Sequence, residues 1–559
     1  MSNLTQPWLK AYPADVPHHV VPTAPRLDAL LDHAVQRWPT RTALGFMGRS
    51  WTYAEVHNLA ETVARALQAF RLKPGDRVAL CLPNCPAYVA AFFGVLKAGG
   101  VVVNLNPLYS ADELHHMLAD SGATHVFGLA LEPVWSKLMQ ARRGTRVRHV
   151  IAVDLATFMP LVTRLGFYVL KASLRVYRLP HGTMAWAHFL ARAERPLQRH
   201  RRTLRHAAVL QYTGGTTGTP KAAVLTHGSL LANTAQVTAW LGKPHPHGDV
   251  MVAVLPLFHV FALTAILLMG VNTGATLHLL PQFHLKNLLK RVERTRATLL
   301  PGVPALFNAL ANSPLTRRYS LKSLRFCISG GAPLPVVVKQ RFEALSGATV
   351  VEGYGLTEAS PVVACGPHTG TAPAGSVGLP LPGTAVSIRA IDNPTKVLPA
   401  GADGEIWLQG PQTMARYWRR PAATNALMHN GWMRTGDVGH FDRHGFLFVT
   451  DRLKDVIFVN GYKVFPRHVE EILARHPAVA EVAVVAIPHP HKGEMPTAFV
   501  SLRTPEPSVL KALQTYADTH LNPLEKLADI TVLDALPKTL VGKIDKKPLR
   551  AMARTHVKG

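Results

Sequence analysis

The length, composition and charge of the sequence exclude several classes of protein. A chain of 559 residues is too long for one ordinary core, so we expect at least two domains. Its 48% hydrophobic and 17% charged residues, without a Gly/Ser-rich or Gln-rich tract, are typical of a globular protein and exclude a disordered one. The net charge of +27 points to an anionic membrane, a phosphorylated ligand or nucleic acid as partner. Because no zinc-finger spacing or RNA-binding aromatic signature accompanies the charge, nucleic acid is not expected.

The cysteines and the first residues indicate a cytoplasmic protein. Cys81, Cys85, Cys327 and Cys365 are the only cysteines, and no cluster of His or Cys completes a metal site around them. We expect four reduced, buried thiols. The first sixteen residues contain no basic region followed by an apolar one, so no secretory signal is predicted.

Residues 26 to about 450 alternate amphipathic helices with short β-branched strands. The pattern predicts a helix over 54–70, a strand over 77–82, a helix over 87–97 and a buried strand over 101–105. This alternation is typical of an α/β fold.

Two stretches are long and apolar enough to raise the question of a membrane span. Residues 250–285 contain no Asp, Glu, Lys or Arg, but Pro256, His259, Gly270 and Asn272 interrupt them, and we predict a buried segment. Residues 158–179 carry Arg164, Lys171, Arg175 and Arg178, whose insertion would cost on the order of 10 kcal/mol. Neither stretch is expected to span a bilayer.

The second of these stretches lies in the most basic part of the chain. Residues 141–205 hold fourteen Lys or Arg against two acids, Asp154 and Glu194. If residues 161–179 form one helix, its four cations fall in a stripe of roughly 60°. Beside the stripe lies an apolar face of Leu161, Leu165, Phe167, Leu170, Leu174 and Tyr177. Such a helix either rests on an anionic membrane or packs its apolar side inward, and the sequence leaves both readings open.

The sequence pattern changes near Asp451. A pair of short strands is predicted around Asn460 and Gly461, and Pro466 opens a helix to about residue 475. Strands over 482–487 and 497–502 and a helix over 509–521 follow. The predicted domains are therefore residues 1–450 and a compact α+β unit, residues 451–559.

The most informative string runs from Tyr212 to Lys221 and reads YTGGTTGTPK. Small residues let backbone N–H groups approach phosphate oxygens, four Thr hydroxyls add donors, and Lys221 adds a cation. It is not a Walker loop, because Pro220 separates Thr219 from the lysine. The string predicts a phosphate-binding loop.

This string resembles the phosphate-binding signature of the adenylate-forming superfamily, which includes acyl-CoA synthetases, firefly luciferase and the adenylation domains of peptide synthetases. Other segments resemble that family's motifs in the same order, and the likeness to bacterial long-chain-fatty-acid–CoA ligases covers nearly the whole chain. These segments are residues 8–17, 256–259, 330–333, 352–358, 435–437, 451–455 and 537–543.

The resemblance implies a nucleotide site. In it, Asp437 accepts hydrogen bonds from the ribose hydroxyls, Arg452 reinforces that grip, and Thr213 and Glu358 hold Mg²⁺. Residues assigned to ATP or AMP are Thr213, Gly214, Gly215, Thr216, Thr217, Gly218, Lys221, Gly331, Ala332, Pro333, Glu352, Gly353, Tyr354, Gly355, Thr357, Asp437, Arg452 and Lys454.

Catalytic roles follow from the same resemblance. Lys543 is the expected mobile cation that stabilises charge during adenylation, and Thr357 and Glu358 act at the phosphates. His259 positions the carboxylate, with a satisfied core histidine as the alternative. At the hinge, Asp451 allows the small domain to swing. Gly461 and Tyr462 fall where the family contacts the nucleotide or the pantetheine arm.

The sequence thus predicts an α/β adenylate-forming fold, with a large multi-subdomain N-terminal domain and a small mobile α+β C-terminal domain. The expected reaction is fatty acid + ATP + CoA giving acyl-CoA, AMP and pyrophosphate, with Mg²⁺. An apolar tunnel for the acyl chain is expected from residues 260–277 and 361–363. An aryl-CoA ligase of the coumarate type, a fatty-acyl-AMP ligase serving a carrier protein and a non-catalytic lipid-binding protein remain alternatives. A weak peripheral contact with the inner face of the cell membrane is expected, and a homodimer stays open.

Overall fold

A computed structural model describes residues 6–176, 178–213, 220–460, 462–503, 507–538 and 544–556. The chain forms two compact units. The larger comprises Met1–Ala385 and Gln409–Met433, and the smaller comprises Val386–Leu408 and Arg434–Gly559. The predicted α/β class with a large and a small part is confirmed, whereas the domain boundary at residue 451 stays a prediction.

The larger unit contains two mainly parallel sheets. The first has the strand order Leu379–Pro380, Val362–Cys365, Thr349–Gly355, Phe326–Gly330, Leu299–Gly302, Val250–Ala253, Thr276–Leu279, Thr42–Phe46, Arg49–Thr52. The second has the order Arg416–Tyr417, Lys221–Thr226, Ala207–Thr213, Val101–Asn104, Arg77–Cys81, His125–Leu129, His149–Val153, Thr183–Ala185. Most strands are buried on both faces, as parallel strands in an α/β protein are.

Helices connect these strands, and several begin at the signals that the sequence carries. Thr52 and Glu55 form a capping box for the helix Tyr53–Ala69, which confirms the prediction over 54–70. Pro86 opens the next predicted helix. The helices of this unit are Ala29–Arg37, Tyr53–Ala69, Pro86–Lys97, Ala111–Ser121, Val134–Ala141, Leu161–Leu170, Trp186–Leu190, His227–Trp240, Val260–Ala262, Met269–Thr273, Leu285–Thr295, Pro304–Asn312, Val336–Ser346 and Pro421–Leu427.

The charge-free stretch 250–285 lies inside the larger unit, as predicted. Its centre is a π-helical segment, Leu263–Leu268, in which every residue is fully buried. The Thr264 hydroxyl donates a hydrogen bond to the carbonyl of Ser360 at 2.6 Å. In the part of the chain that the structure describes, no helix combines the length and apolarity that crossing a bilayer requires.

The basic segment differs from its prediction. The helix Leu161–Leu170 ends ten residues after it begins, and a short 3-10 turn, Ala172–Leu174, follows. Arg175 then adopts an extended conformation and pairs with Leu131. The predicted helix over 161–179 is therefore wrong, and its stripe of four cations is not formed. A long-range bridge has overridden the local helical pattern.

The smaller unit contains two sheets of its own. In the first, Ala385–Arg389, Gly404–Gln409, Trp432–Phe441 and Leu447–Arg452 are neighbours in that order. In the second, the order is Tyr462–Val464, Ile457–Val459, Gly493–Leu502, Val479–His489, with Ile530–Val532 also pairing with Gly493–Leu502. The helices are Pro466–Leu473, Pro507–His520 and Lys546–His556. The predicted hairpin, the helix opened by Pro466 and the two strands after it are confirmed.

Candidate active site

The two ends of the predicted phosphate loop are held side by side. Thr213 ends one strand, Lys221 begins the next, and the two residues are partners in an antiparallel ladder. The Thr213 hydroxyl donates to the Lys221 carbonyl at 3.3 Å. Gly214, Gly215, Thr216, Thr217 and Gly218 lie outside the described residues. The two strands therefore form a hairpin whose connection is the whole predicted loop.

The predicted adenine-side residues lie at the carboxyl ends of two neighbouring parallel strands. Gly330 pairs with Gly353, so the loop Gly331–Ala332–Pro333 follows its strand at the sheet edge where Tyr354 and Gly355 end theirs. The Leu334 amide donates to Glu352 Oε2 at 2.9 Å, which holds this exposed loop against the neighbouring strand. A Cβ on Gly355 would lie 2.1 Å from the Pro361 carbonyl oxygen, so only glycine fits there. Ligands of open α/β sheets bind at such carboxyl ends.

Glu358 is held by two hydrogen bonds from a distant segment of the same unit. It lies in the short turn Thr357–Ala359, beside Thr357. The Met414 amide donates to its backbone carbonyl at 2.6 Å, and the Tyr417 hydroxyl donates to its Oε1 at 2.5 Å. Burial, followed by the nearby Glu358 carboxylate, raises the pKa of Tyr417 well above its usual value, so the phenol stays protonated as the donor. Among the described residues, none donates a hydrogen bond to the second carboxylate oxygen, Oε2.

Tyr417 also connects Glu358 to the phosphate hairpin. Tyr417 pairs with Ala223 in the strand that Lys221 begins, and the Lys221 Nζ lies 5.6 Å from the centre of the Tyr417 ring. Glu358, Lys221 and Thr213 therefore belong to one neighbourhood of the larger unit. The sequence prediction missed Tyr417, because nothing in the string Ala415–Trp418 singles out one aromatic residue as the partner of a carboxylate 59 positions away.

His259 lies between the hairpin and the sheet edge. The Gln211 side-chain amide donates to the Phe258 carbonyl at 3.0 Å, which ties this segment to the strand that ends at Thr213. On the other side, a Cβ on Gly330 would lie 3.0 Å from the Phe261 ring. The His259 Nδ1 accepts the Phe261 amide at 3.3 Å. The predicted acyl-positioning histidine is thus brought next to the predicted nucleotide residues.

The two segments expected to line an acyl tunnel lie against each other. Thr264 bonds the Ser360 carbonyl, and the Val362 amide donates to Asn233 Oδ1 at 3.0 Å. Val362 and Val363 are buried, like the π-helical segment opposite them. Apolar side chains therefore extend away from the sheet edge into the unit.

In the smaller unit, the predicted ribose-binding residues are direct partners. Asp437 and Arg452 face each other across an antiparallel pair of strands, and Arg452 Nε lies 3.3 Å from Asp437 Oδ1. Within the strand, Gly436 directly before Asp437 has a φ of +68°, a conformation that favours glycine. Asp437 is nearly buried whereas the Arg452 side chain is half exposed. The carboxylate is oriented by the guanidinium that was predicted to assist it.

The remaining predicted residues of this unit fall on turns and strand ends. Asp451 is buried and accepts the amides of Arg452 at 2.7 Å and Arg467 at 2.8 Å. Burial raises the pKa of Asp451 and lowers the pKa of Lys454. Tyr462 is exposed. Gly461 and Lys543 lie outside the described residues, although a bridge between Lys538 and Ile544 joins the two ends of the lysine segment.

Within the described residues, no group of three or more His, Cys, Asp or Glu side chains forms a metal cluster. A single carboxylate, Glu358, beside a phosphate-binding hairpin is nevertheless the set that Mg²⁺ uses when phosphate oxygens and water complete its shell. The residues present fit that ion.

The chain is similar to known proteins over nearly its full length. A model of the AMP-binding enzyme family matches residues 31–418, and a model of the AMP-binding enzyme C-terminal domain matches residues 468–543. A long-chain-fatty-acid–CoA ligase of Bacillus subtilis is 36% identical over 550 residues, 97% of each chain. One of Escherichia coli O6:H1 is 37% identical over 565 residues, 98% of this chain and 99% of the other. The crystal structure of ATP bound MatB from Rhodopseudomonas palustris superposes with a TM-score of 0.82 at 26% identity, covering 94% of this chain and 98% of that one.

Proposed function

Because the chain belongs to the AMP-binding enzyme family, we propose that it is an acid–thiol ligase that converts a long- or medium-chain fatty acid, ATP and CoA to acyl-CoA, AMP and pyrophosphate. The observation that carries this proposal is the similarity to curated long-chain-fatty-acid–CoA ligases across both predicted domains. The intermediate is an acyl-adenylate, formed when the carboxylate attacks the α-phosphate of ATP.

The nucleotide is bound at the sheet edge of the larger unit. Backbone N–H groups and hydroxyls of the phosphate hairpin, with Lys221, neutralise the phosphates, since both reactants are anions. The exposed loop of Gly331, Ala332 and Pro333 covers one face of the adenine, and Tyr354 covers the other. Glu358 and Thr213 would hold Mg²⁺, which screens the phosphates and helps pyrophosphate to leave.

The fatty acid enters beside His259. The histidine and the hydroxyl of Thr357 orient the carboxylate and the α-phosphate, and the apolar chain runs between the segment Leu263–Leu268 and Val362. The dry surroundings favour a long aliphatic tail over a short polar acid.

The smaller unit supplies the ribose-binding pair, and its part beyond the predicted hinge supplies the residues that differ between the two half-reactions. Asp437 and Arg452 bind the ribose, and Lys543 stabilises the charge that develops during adenylation. Rotation about Asp451 then exchanges Lys543 for the surface of Lys454, Gly461 and Tyr462, where CoA binds.

Two further parts of the proposal concern partners. A cytoplasmic location with peripheral contact to an anionic membrane is supported by the net charge of +27 and by a substrate class that partitions into bilayers. A homodimer stays a prediction from the sequence.

The test is a panel of acids from acetate to oleate, with coumarate, each supplied with ATP and CoA while AMP is followed. Long or medium aliphatic acids should release AMP, and they should drive exchange of labelled pyrophosphate into ATP without CoA. Release of ADP and phosphate would contradict the mechanism. Preference for coumarate would favour an aryl-CoA ligase, and adenylation without CoA-dependent turnover would favour a carrier-protein acceptor.

A further inference from the structure

The helix Leu161–Leu170 exposes its aliphatic side chains, whereas an ordinary surface helix buries them. Five large aliphatic side chains on it are among the most exposed of the described residues: Leu161 at 67%, Val162 at 83%, Leu165 at 57%, Val169 at 78% and Leu170 at 82%. At about 100° per residue, these five and Gly166 occupy one continuous half of the helix surface. We call this half the outer face.

The inner half of the helix carries its polar groups. Arg164 Nη2 donates to the Met159 carbonyl at 3.2 Å, and the Tyr168 hydroxyl donates to Asp154 Oδ2 at 3.2 Å. Arg175, just beyond the helix, places its guanidinium 3.8 Å from the centre of the Tyr168 ring. These contacts fix the rotation of the helix, so its outer face is specified by the fold.

An exposed face of five contiguous aliphatic side chains is unusual for a soluble surface and marks a contact with something apolar. The charges around the outer face indicate the nature of this apolar partner. No Asp or Glu occurs between Asp154 and Glu194, and Asp154 is bonded to Tyr168 on the inner side. Lys171 follows the helix and is exposed. Exposed Arg49, whose guanidinium lies 4.9 Å from the centre of the Trp51 ring, begins a strand directly after Gly48, which approaches Pro160 at the start of the helix.

We infer that the outer face of the helix Leu161–Leu170 inserts into the surface of an anionic phospholipid bilayer, with Lys171 and Arg49 meeting lipid phosphates at its two ends. A cationic rim around an apolar face matches an anionic lipid headgroup layer over an acyl interior. A second copy of the chain is disfavoured as the occupant, because the same cations would then face each other.

This inference revises the contact expected from the sequence. There, a stripe of four cations carried the attachment, but Arg164 and Arg175 are engaged on the inner side. Insertion of the aliphatic side chains of the outer face supplies most of the affinity for the bilayer. Lys171 and Arg49 supply the preference for anionic lipid. The inference rests on the proposed function only in that a fatty-acid substrate gives the enzyme a reason to visit a membrane.

The experiment is co-sedimentation of the full chain with vesicles, one set of phosphatidylcholine alone and one of equal parts phosphatidylcholine and phosphatidylglycerol. The test variant carries Val162→Ser, Val169→Ser and Leu170→Ser. The matched control carries Val21→Ser, Val397→Ser and Val532→Ser, which remove three exposed valines elsewhere. We expect the test variant to lose about tenfold or more in its partition coefficient on anionic vesicles, and the control to bind like wild type.

A second measurement locates the contact directly. A Cβ on Gly166 meets nothing within 4 Å, and the four native cysteines are buried, so Gly166→Cys accepts an environment-sensitive fluorophore selectively. Its emission should shift to the blue on anionic vesicles, whereas a label at Gln36→Cys on the helix Ala29–Arg37 should not respond.

Equal binding of test variant and wild type, or an unresponsive label at position 166, would overturn the inference. So would a change of sedimentation coefficient without vesicles in the test variant alone, which would make the outer face a contact between copies. None of these measurements uses turnover. AMP release from a soluble medium-chain acid, measured without vesicles, tests the proposed function separately and should be unchanged in the test variant.

Discussion

The candidate catalytic residues of the two units are positioned in different ways. In the larger unit, Glu358 is fixed by Met414 and Tyr417, and the adenine-side loop is fixed by Glu352, in each case through long-range hydrogen bonds to sheet elements. In the smaller unit, Asp437 has its closest partner on the adjacent strand, and Asp451 bonds amides at the start of the following turn and helix. The first set includes contacts between residues up to 59 positions apart, and the second is held by contacts between residues 16 or fewer positions apart.

This difference fits a division of labour. A site that holds the adenylyl group in both half-reactions, first as ATP and then as acyl-adenylate, gains from rigidity, because its groups must already point at the α-phosphate. Residues that serve only one half-reaction must be exchangeable, so they suit turns and segments between strands. Substitutions at residues that serve one half-reaction, such as Lys543, should therefore separate the two half-reactions.

The largest effect is expected for Glu358→Gln. It removes the charge that we propose holds Mg²⁺ yet still offers an oxygen to Tyr417. Loss of about 4 kcal/mol of transition-state stabilisation corresponds to roughly a thousandfold slower adenylation. Pyrophosphate exchange measured over a series of Mg²⁺ concentrations checks this. Activity restored to wild-type level at saturating Mg²⁺ would mean a weakened affinity only, and an unchanged Mg²⁺ dependence would remove Glu358 from the metal site.

Lys543→Ala should have the next largest effect and should separate the half-reactions. Removing one preorganised donor costs about 3 kcal/mol, or roughly a hundredfold in adenylation. Thioester formation from supplied acyl-adenylate should be nearly unaffected. Lys547→Ala, a nearby exposed lysine, is the control. Equal losses in both half-reactions would show that the lysine does not belong to one conformation.

Much of the fold and of the site was predictable from the sequence, for reasons that differ by element. The helix Tyr53–Ala69 carries its own capping box and apolar period, and the motifs that name Glu358 and Asp437 are contiguous in the chain. The end of the helix at Leu170 was not predictable, because a bridge between Arg175 and Leu131 decides it. Tyr417 was missed for the same reason, since its role depends on a contact across 59 residues.

Lowering the pH should destabilise the larger unit more than the smaller one. Burial lowers the pKa of His125 and of His227 to about 4, so both are neutral in the folded larger unit. Above pH 6.5 these two histidines do not reduce the stability of the folded state. As the pH falls towards 4 the unfolded chain binds protons first, and stability falls by about 2 kcal/mol per histidine by pH 5. In the smaller unit, a hydrogen bond to Asp403 raises the pKa of His440, so acid does not weaken that contact.

Hydrogen exchange at pH 7.5 and pH 5, corrected for intrinsic rates, checks this comparison. Protection should fall in the larger unit and hold in the smaller one. His227→Asn is the control, because its amide oxygen can accept the Leu27 amide that His227 Nδ1 accepts at 3.2 Å, yet it does not titrate. The larger unit of the His227→Asn variant should lose less protection from exchange on acidification than the larger unit of the wild type. An equal loss in both proteins would exclude His227 as a source.

Asp451→Pro should slow thioester formation and spare adenylation, which is the reverse of Lys543→Ala, and its effect should be smaller. Proline fixes φ near −65° and so restricts rotation of the backbone at the predicted hinge. We expect adenylation to be retained and thioester formation to slow by about tenfold. Asp451→Ala also loses the bonds to the amides of Arg452 and Arg467 but leaves the backbone free, so it is the matched control. If alanine slows thioester formation as much as proline does, the carboxylate and not the hinge matters.

The smallest effect is expected for Tyr417→Phe, and it tests whether rigidity in the larger unit serves catalysis. The hydroxyl fixes one oxygen of Glu358, so its loss leaves the metal ligand in place but less well oriented. Changes to such supporting groups cost about tenfold in activity or metal affinity. Adenylation should require more Mg²⁺ for half-maximal rate, while the thermal midpoint stays within the range of a matched control. That control is Tyr168→Phe, which removes a tyrosine–aspartate hydrogen bond outside the site. An unchanged Mg²⁺ requirement, with a thermal midpoint lower than the control's, would show that Tyr417 supports only the packing of its strand on the phosphate hairpin.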